Sequence, residues 1–436
     1  MLGGGTFATQ NKILPGAYIN FVSLKTASAT LSDRGVATMA LELDWGVENE
    51  IFEVSASDFA KESLKIFGYS QDHEKLKGLR DLFKNITTLY AYRINGNGVK
   101  ATNNGITAKY SGTRGNSLTV TLESTLEGLV DVKTTFDGVV VDRQTISKGE
   151  TPLSNDYVDF GTFKAEIAEG ESAQSIALVG GANGSVNGET HQTYLDKVES
   201  YSFNTMGVIT TEDSIKTLYV NFCKRMRDEV GMKFQVVIYN KSADFEGVIN
   251  VKNKVTDSGW SESALVYWVT GIEAGCAINK STLNSKYDGE FTVDVNYTQN
   301  QLENAIKSGE FAFHKVGSDI RILEDINSLV TVTEQKGDIF KDNQTIRVVD
   351  QVANDIAVLF NTKYLGAIPN DASGRISFWS DVVKHHEEMQ RLRAIENFND
   401  ADVTVEAGSD RKSIVVNDAI TPIGTMSKLY MTTVVR

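Results

Sequence analysis

The chain has 436 residues, 41% hydrophobic and 23% charged, a globular composition long enough for two to four packed units. Its 43 Lys and Arg against 57 Asp and Glu leave a formal charge of −14, which argues against nucleic acid or an anionic membrane as its main partner. Two cysteines, no run of 18 apolar residues and a start without a basic or apolar leader predict a protein of a reducing cytosol that is neither secreted by a signal peptide nor membrane-spanning.

Residues 1–22 read as an arm, in which Pro15-Gly16 makes a turn and Tyr18, Ile19 and Phe21 fall in an extended alternation. A strand over 36–43 precedes a helix over 57–67 that starts on Ser57 or Asp58 and stops at Gly68. A second helix over 74–83 and a buried strand over 87–94 complete a first α/β portion ending at Asn95-Gly96-Asn97-Gly98. Helical periodicity then vanishes. Short strands are predicted at 106–110, 117–122, 130–136 and 139–146, with Asp137-Gly138 as a type I′ hairpin turn, so a small β domain is inserted here.

Gly180–Gly184 reads as the return linker. A strand over 203–210, a helix carrying Ile215, Leu218, Phe222, Met226 and Val230 up to Gly231, and a strand over 234–239 predict a βαβ unit with a parallel sheet. Helices follow over 261–277 and 301–307, then a hairpin pairing 311–314 with 319–323, and a long helix over 344–364 ended by Gly366 and Pro369. The last helix is predicted over 378–398, with a narrow apolar stripe of Phe378, Val382, Met389 and Leu392. A hairpin (403–405 with 414–416) and an alternating strand over 427–435 close the chain.

The motifs that would carry chemistry are weak. The glycines of 180–188 lack the Gly-Lys-Ser/Thr ending of a phosphate loop, and His385-His386-Glu387-Glu388 lacks the four-residue histidine spacing of a zinc helix. That tetrad reads as a solvated helix with Lys384–Glu388 and Glu387–Arg391 pairs. Cys223 and Cys276 read as core residues, and Gly271 and Gly275 as a close helix contact. The acidic pairs Asp156/Asp159 and Glu324/Asp325 read as solvated surface. No catalytic, metal or cofactor set is expected. Two features remain: strand-like arms at both ends, able to satisfy a neighbour's sheet edge, and a helix on which Lys384, Arg391 and Arg393 stand out in an acidic chain.

Four segments resemble contractile-tail sheath proteins of Gram-positive myophages, defective prophages and R-type bacteriocins. They are Leu14–Phe21, Lys109–Asn116, Ile322–Leu329 and Lys363–Asn370 continuing to Arg375, in the family's order. The resemblance implies an α+β or α/β multidomain subunit with an α/β sheath domain, an inserted β domain and terminal arms. Its divisions would be an arm 1–22, sheath domain 23–98, outer β insertion 99–182, sheath domain continued 183–370, tube-facing helix and hairpin 371–416, and arm 417–436.

It further implies a helical homopolymer linked by strand exchange, with Tyr18, Ile19 and Phe21 at one end and Leu429, Tyr430, Met431 and Val434 at the other. Lys384, Arg391 and Arg393 would be candidate contacts to an inner tail tube protein. Baseplate and tail terminator proteins would be further partners, with no nucleic acid and no membrane. The particle would assemble in the bacterial cytoplasm and leave by lysis. The alternatives are an α/β enzyme of unknown reaction and a surface-binding module using the β insertion.

Overall fold

The computed structural model describes residues 31–125, 128–167 and 171–435. The chain divides into two compact units: a larger one of Asp33–Ala353, Arg393–Ile395 and Pro422 onward, and a smaller one of Asn354–Leu392 and Glu396–Thr421 together with the segment ending at Ser32.

In the larger unit β1 (Val36–Leu41) buries Ala37, Met39 and Leu41. It leads to the short edge strand β2 (Ile51–Ser55), which sequence periodicity did not reveal. Ser55 caps α1 (Ala56–Phe67): its hydroxyl accepts from Asp58 N at 3.1 Å while the Asp58 carboxylate accepts from Ser55 N, so the helix begins two residues before the expected cap. Gly68 stops it at φ 77°, a left-handed conformation that favours glycine. A single 3-10 turn, α2 (Lys77–Phe83) and β3 (Thr88–Arg93) follow.

The inserted segment contains β4 (Lys100–Asn103), β5 (Ile106–Ser111), β6 (Leu118–Ser124), β7 (Leu129–Phe136), β8 (Val139–Ser147), β9 (Val158–Asp159) and β10 (Ala173–Ala177). They form antiparallel sheets in the orders β10-β6-β7-β8 and β4-β5-β9. Asp137 and Gly138 adopt φ 53° and 81°, as a type I′ turn between β7 and β8 requires. Trp45, from the loop after β1, enters this core with its ring 5.2 Å from Tyr110 and 5.0 Å from Phe136, and its indole N–H donates to the Lys65 carbonyl at 3.0 Å. Buried Arg93 donates to the carbonyls of Leu43 and Ser111, tying the end of β3 to the insertion.

The chain then adds α3 (Gly188–Val198), β11 (Thr205–Val208), α4 (Asp213–Arg225), a π turn to Gly231, β12 (Gln235–Tyr239), β13 (Val248–Val251), α5 (Leu265–Gly275), α6 (Gln299–Lys307) and β14 (Glu310–Phe311). The hairpin β15 (Phe313–Val316) with β16 (Asp319–Ile322) comes next, followed by α7 (Asn343–Leu359). The main sheet runs β14-β13-β12-β11-β1-β3-β2, parallel throughout except for β2. Strand alternation feeds two layers. Val236 and Ile238 pack with Tyr194, Leu195, Tyr219 and Phe222 of α3 and α4, while Val237 and Tyr239 pack with Trp268 and Val269 of α5. A Cβ on Gly271 would lie 2.6 Å from the Leu82 carbonyl, and one on Gly275 would overlap that of Asn85, so α5 and α2 touch through their backbones.

The smaller unit holds the end of α7, a π turn (Phe360–Tyr364), α8 (Ala372–Arg391) and the hairpin of β18 (Val403–Ala407) and β19 (Ile414–Asp418). The two-residue strands β17 (Ile395–Glu396) and β20 (Thr421–Pro422) lie at the unit boundary. Its core is Leu359, Tyr364, Phe378, Val382, Val383 and Val403. Asp371 caps α8 by accepting from Gly374 N at 2.7 Å, so the helix starts six residues before the predicted 378. It stops at Arg391 rather than 398, and Arg393 turns left-handed at φ 62° without a glycine to announce it. Residues 427–435, predicted as a strand, join no ladder among the described residues.

Candidate assembly surfaces

Among the described residues, the hydrogen bonds that hold the C-terminal arm lie at its base, in the larger unit. Ile423 N donates to the Ala394 carbonyl at 3.0 Å, and the Gln344 side chain receives Thr425 N and donates to the Ile423 carbonyl. Beyond it Leu429, Tyr430, Met431 and Val434 are 84%, 89%, 77% and 79% exposed, and Met426 is wholly so. A run of apolar side chains in water is a binding surface awaiting cover. Tyr18, Ile19 and Phe21 lie outside the described residues.

Arg34, near the other end of the chain, donates to the carbonyls of Cys276 at 2.8 Å and Glu273 at 2.9 Å, at the C-terminus of α5. Beneath it lies a buried ionic cluster in which Arg347 donates to Glu273 at 2.5 Å and to Asp325 at 2.6 Å. Burial, with Asp325 alongside, pushes the Glu273 carboxyl up to about 8 against the pull of Arg347. Burial opposes charge on Asp325 too, but the Arg347 guanidinium outweighs it and holds that carboxyl below its ordinary range. Asp325 is thus a core anion and not the solvated surface its sequence suggested. Cys223 is buried as expected, whereas Cys276 is only half-buried.

On α8, Lys384 and Arg391 are seven residues apart and share a face; both are exposed, as is Arg393. Arg391 bonds Glu388 at 2.7 Å, an i,i+3 pair in place of the expected pairing with Glu387. Lys384 and Arg393 form no ion pair among the described residues. The neighbouring histidines correct the solvated reading: His385 and His386 are fully buried, against Asp355 and Asp418 respectively. The hairpin of β18 and β19 leaves nearly every residue but Val403 at least partly exposed.

One cleft of about 680 Å³ opens at the carboxyl ends of β1 and β11, where doubly wound folds place ligands. Its His191 is held by Tyr219 at 2.8 Å and lowered by burial to about 4, so it is neutral at pH 7 and poorly suited to act as a general acid there.

An α/β body with an exposed apolar C-terminal arm has the features of a subunit built for assembly. Family models agree. Residues 34–94 match the N-terminal region of tail sheath protein Gp18 domain III, residues 184–328 the phage tail sheath protein central domain, and residues 335–436 the phage tail sheath C-terminal domain. The chain is 30% identical to the phage-like element PBSX protein XkdK of Bacillus subtilis (strain 168), over 98% of this chain and 99% of that protein. Among solved structures it is similar to the sheath tail protein of Desulfitobacterium hafniense, with 32% identity, a TM-score of 0.80, and coverage of 95% and 99%. The anti-feeding prophage helical sheath in its contracted state shares the fold at a TM-score of 0.57, with 12% identity and coverage of 96% and 98%. The chain belongs to the phage tail sheath family; it is a structural subunit of a contractile tail sheath and not an enzyme.

Proposed function

We propose that this sheath subunit polymerises helically by lending both arms to neighbouring subunits and that its α8 face rests on an inner tail tube. The observation that carries the reading is the C-terminal arm, whose exposed alternating side chains begin where its backbone anchors end. Strand addition uses main-chain hydrogen bonds, so arms can stay linked while rigid bodies rotate during contraction. The exposed β18–β19 hairpin supports this, because two strands alone are marginal in water and gain by a third and fourth. Residues 99–182 then form the outer domain and residues 371–416 the tube-facing part. Baseplate and tail terminator proteins would cap the polymer, and the particle would assemble in a bacterial cytoplasm before release by lysis.

Lys384, Arg391 and Arg393 would hold an acidic tube surface weakly, at about 0.2–1 kcal/mol per exposed pair, which allows release on contraction. The test is negative-stain microscopy of the purified chain with and without the tube protein, alongside the variant K384E/R391E/R393E. Hollow cylinders from both proteins, with tube co-assembly lost only in the variant, support the assignment. Unchanged co-assembly moves the tube contact elsewhere, and absence of any polymer at high concentration overturns the assembly reading.

A further inference from the structure

Within the smaller unit four side chains form a continuous line of three contacts. Asp355 Oδ2 lies 3.0 Å from His385 Nε2, His385 Nδ1 lies 3.0 Å from His386 Nδ1, and His386 Nε2 lies 2.8 Å from Asp418 Oδ2. Both imidazoles are at 0% exposure. The line runs from α7, through two successive residues of α8, to the last residue of β19.

Hydrogen-bond chemistry fixes how many protons this line can hold. Every contact needs one hydrogen between its two heavy atoms, and an ionised carboxylate has none to give. Two neutral imidazoles beside two ionised carboxylates carry two hydrogens, which leaves one buried contact with lone pair facing lone pair. Two imidazolium ions carry four, and two N–H groups would then collide across the 3.0 Å between the Nδ1 atoms. Three hydrogens satisfy all three contacts, whether the third sits on a ring or on an aspartate oxygen.

We propose that the Asp355–His385–His386–Asp418 line is a three-proton latch that fastens β19 to α8 and α7, and that loss of its third proton releases this end of the hairpin. Asp355 also receives the Ser32 hydroxyl at 2.7 Å, and the Phe398 ring covers His386. Asp381, one turn earlier on α8, is taken by Lys363 at 2.5 Å and by the Tyr364 hydroxyl. Lys384 on α8 and Glu406 on β18 are exposed to water.

The test is solid-state nuclear magnetic resonance on the assembled full-length protein carrying ¹³C,¹⁵N-histidine. Among the five histidines only His385 and His386 are adjacent, so a single backbone correlation isolates them without any variant. At pH 7.5 the line should show both Nε2 atoms and one Nδ1 protonated, or two ring hydrogens with one aspartate in its acid form. Two ring hydrogens beside two ionised aspartates, or four ring hydrogens, overturn the proposal.

As pH is raised until the third proton leaves, amide exchange over residues 414–418 should accelerate at least tenfold beyond its intrinsic base dependence. Exchange that follows the intrinsic dependence through that change overturns the latch. Asp418→Asn, which removes an ionised end of the line, should shift the transition; an unmoved transition would also overturn it.

Discussion

Removing residues 426–436 separates folding from assembly. Met426, Leu429, Tyr430, Met431, Val434 and Val435 are between 77% and 100% exposed, so the isolated subunit buries little of them. At about 2 kcal/mol for full burial of such a side chain, the six together give the monomer at most about 2 kcal/mol, which the ordering entropy of the segment largely cancels. Covered by a neighbour, the same side chains are worth about 10 kcal/mol before ordering costs, and each main-chain bond of a new ladder adds about 0.5–1.5 kcal/mol. The truncated chain should therefore melt within about 4 °C of the intact one by calorimetry and remain monomeric in sedimentation velocity. Leu429→Pro should reproduce the assembly defect by removing one ladder donor. Cylinders from the truncated chain would refute arm exchange. A melting point lowered by ten degrees or more would show that the arm belongs to the fold of its own subunit.

Two further predictions probe the body that carries the arms, both in the truncated background so that unfolding is not entangled with polymer. Glu273 is raised to about 8 by burial, so its contribution to stability is fully present below the ordinary carboxyl range near 4.5 and is lost as pH rises through 8. Glu273→Gln cannot ionise, and the stability difference between variant and wild type should drift in the variant's favour by up to about 1.4 kcal/mol per pH unit between pH 5 and 8; a difference constant with pH would refute the assignment. Gly275→Ala drives a Cβ into the Asn85 carbonyl and should cost about 1–3 kcal/mol in urea unfolding, whereas an unchanged midpoint would mean that α5 and α2 can part freely.

The elements legible in the sequence were those whose pattern reports on their own burial. Phe234–Tyr239 is a nearly continuous apolar run because it is covered on both faces, and it appears as the interior strand β12. The edge strand β2 is too short and too exposed to show such a run, and α3 buries only Tyr194, Leu195 and Val198 behind a polar first turn. Local pattern is also silent about partners distant in the chain. His385 and His386 look solvated among Lys384, Glu387 and Glu388, yet they face Asp355 and Asp418, 30 and 32 residues away. Asp325 is hidden in the same way, since what makes it a core anion is Arg347, 22 residues on. For Leu429–Val435 the alternation is legible and no ladder pairs it among the described residues, as the proposed pairing with another subunit requires.

Arg34 and the base of the C-terminal arm are tied to one buried structure. Arg34 hangs from the last carbonyls of α5, and Thr425 and Ile423 hang from Gln344 at the start of α7. Arg347, three residues further along α7, bonds Glu273 of α5, so both roots are joined through a single guanidinium. On the arm exchange proposed above, a load entering through the C-terminal arm would reach Gln344 of α7, and with it the Arg347–Glu273 contact to α5, before the sheet. Such a pair resists because breaking it leaves a buried N–H of Arg347 without its acceptor, at about 1–3 kcal/mol. A tail that shortens while its subunits remain linked needs extensible connections attached to a stiff point. On the proposed arm exchange, the exposed C-terminal arm would provide the first and the buried Arg347 cluster the second.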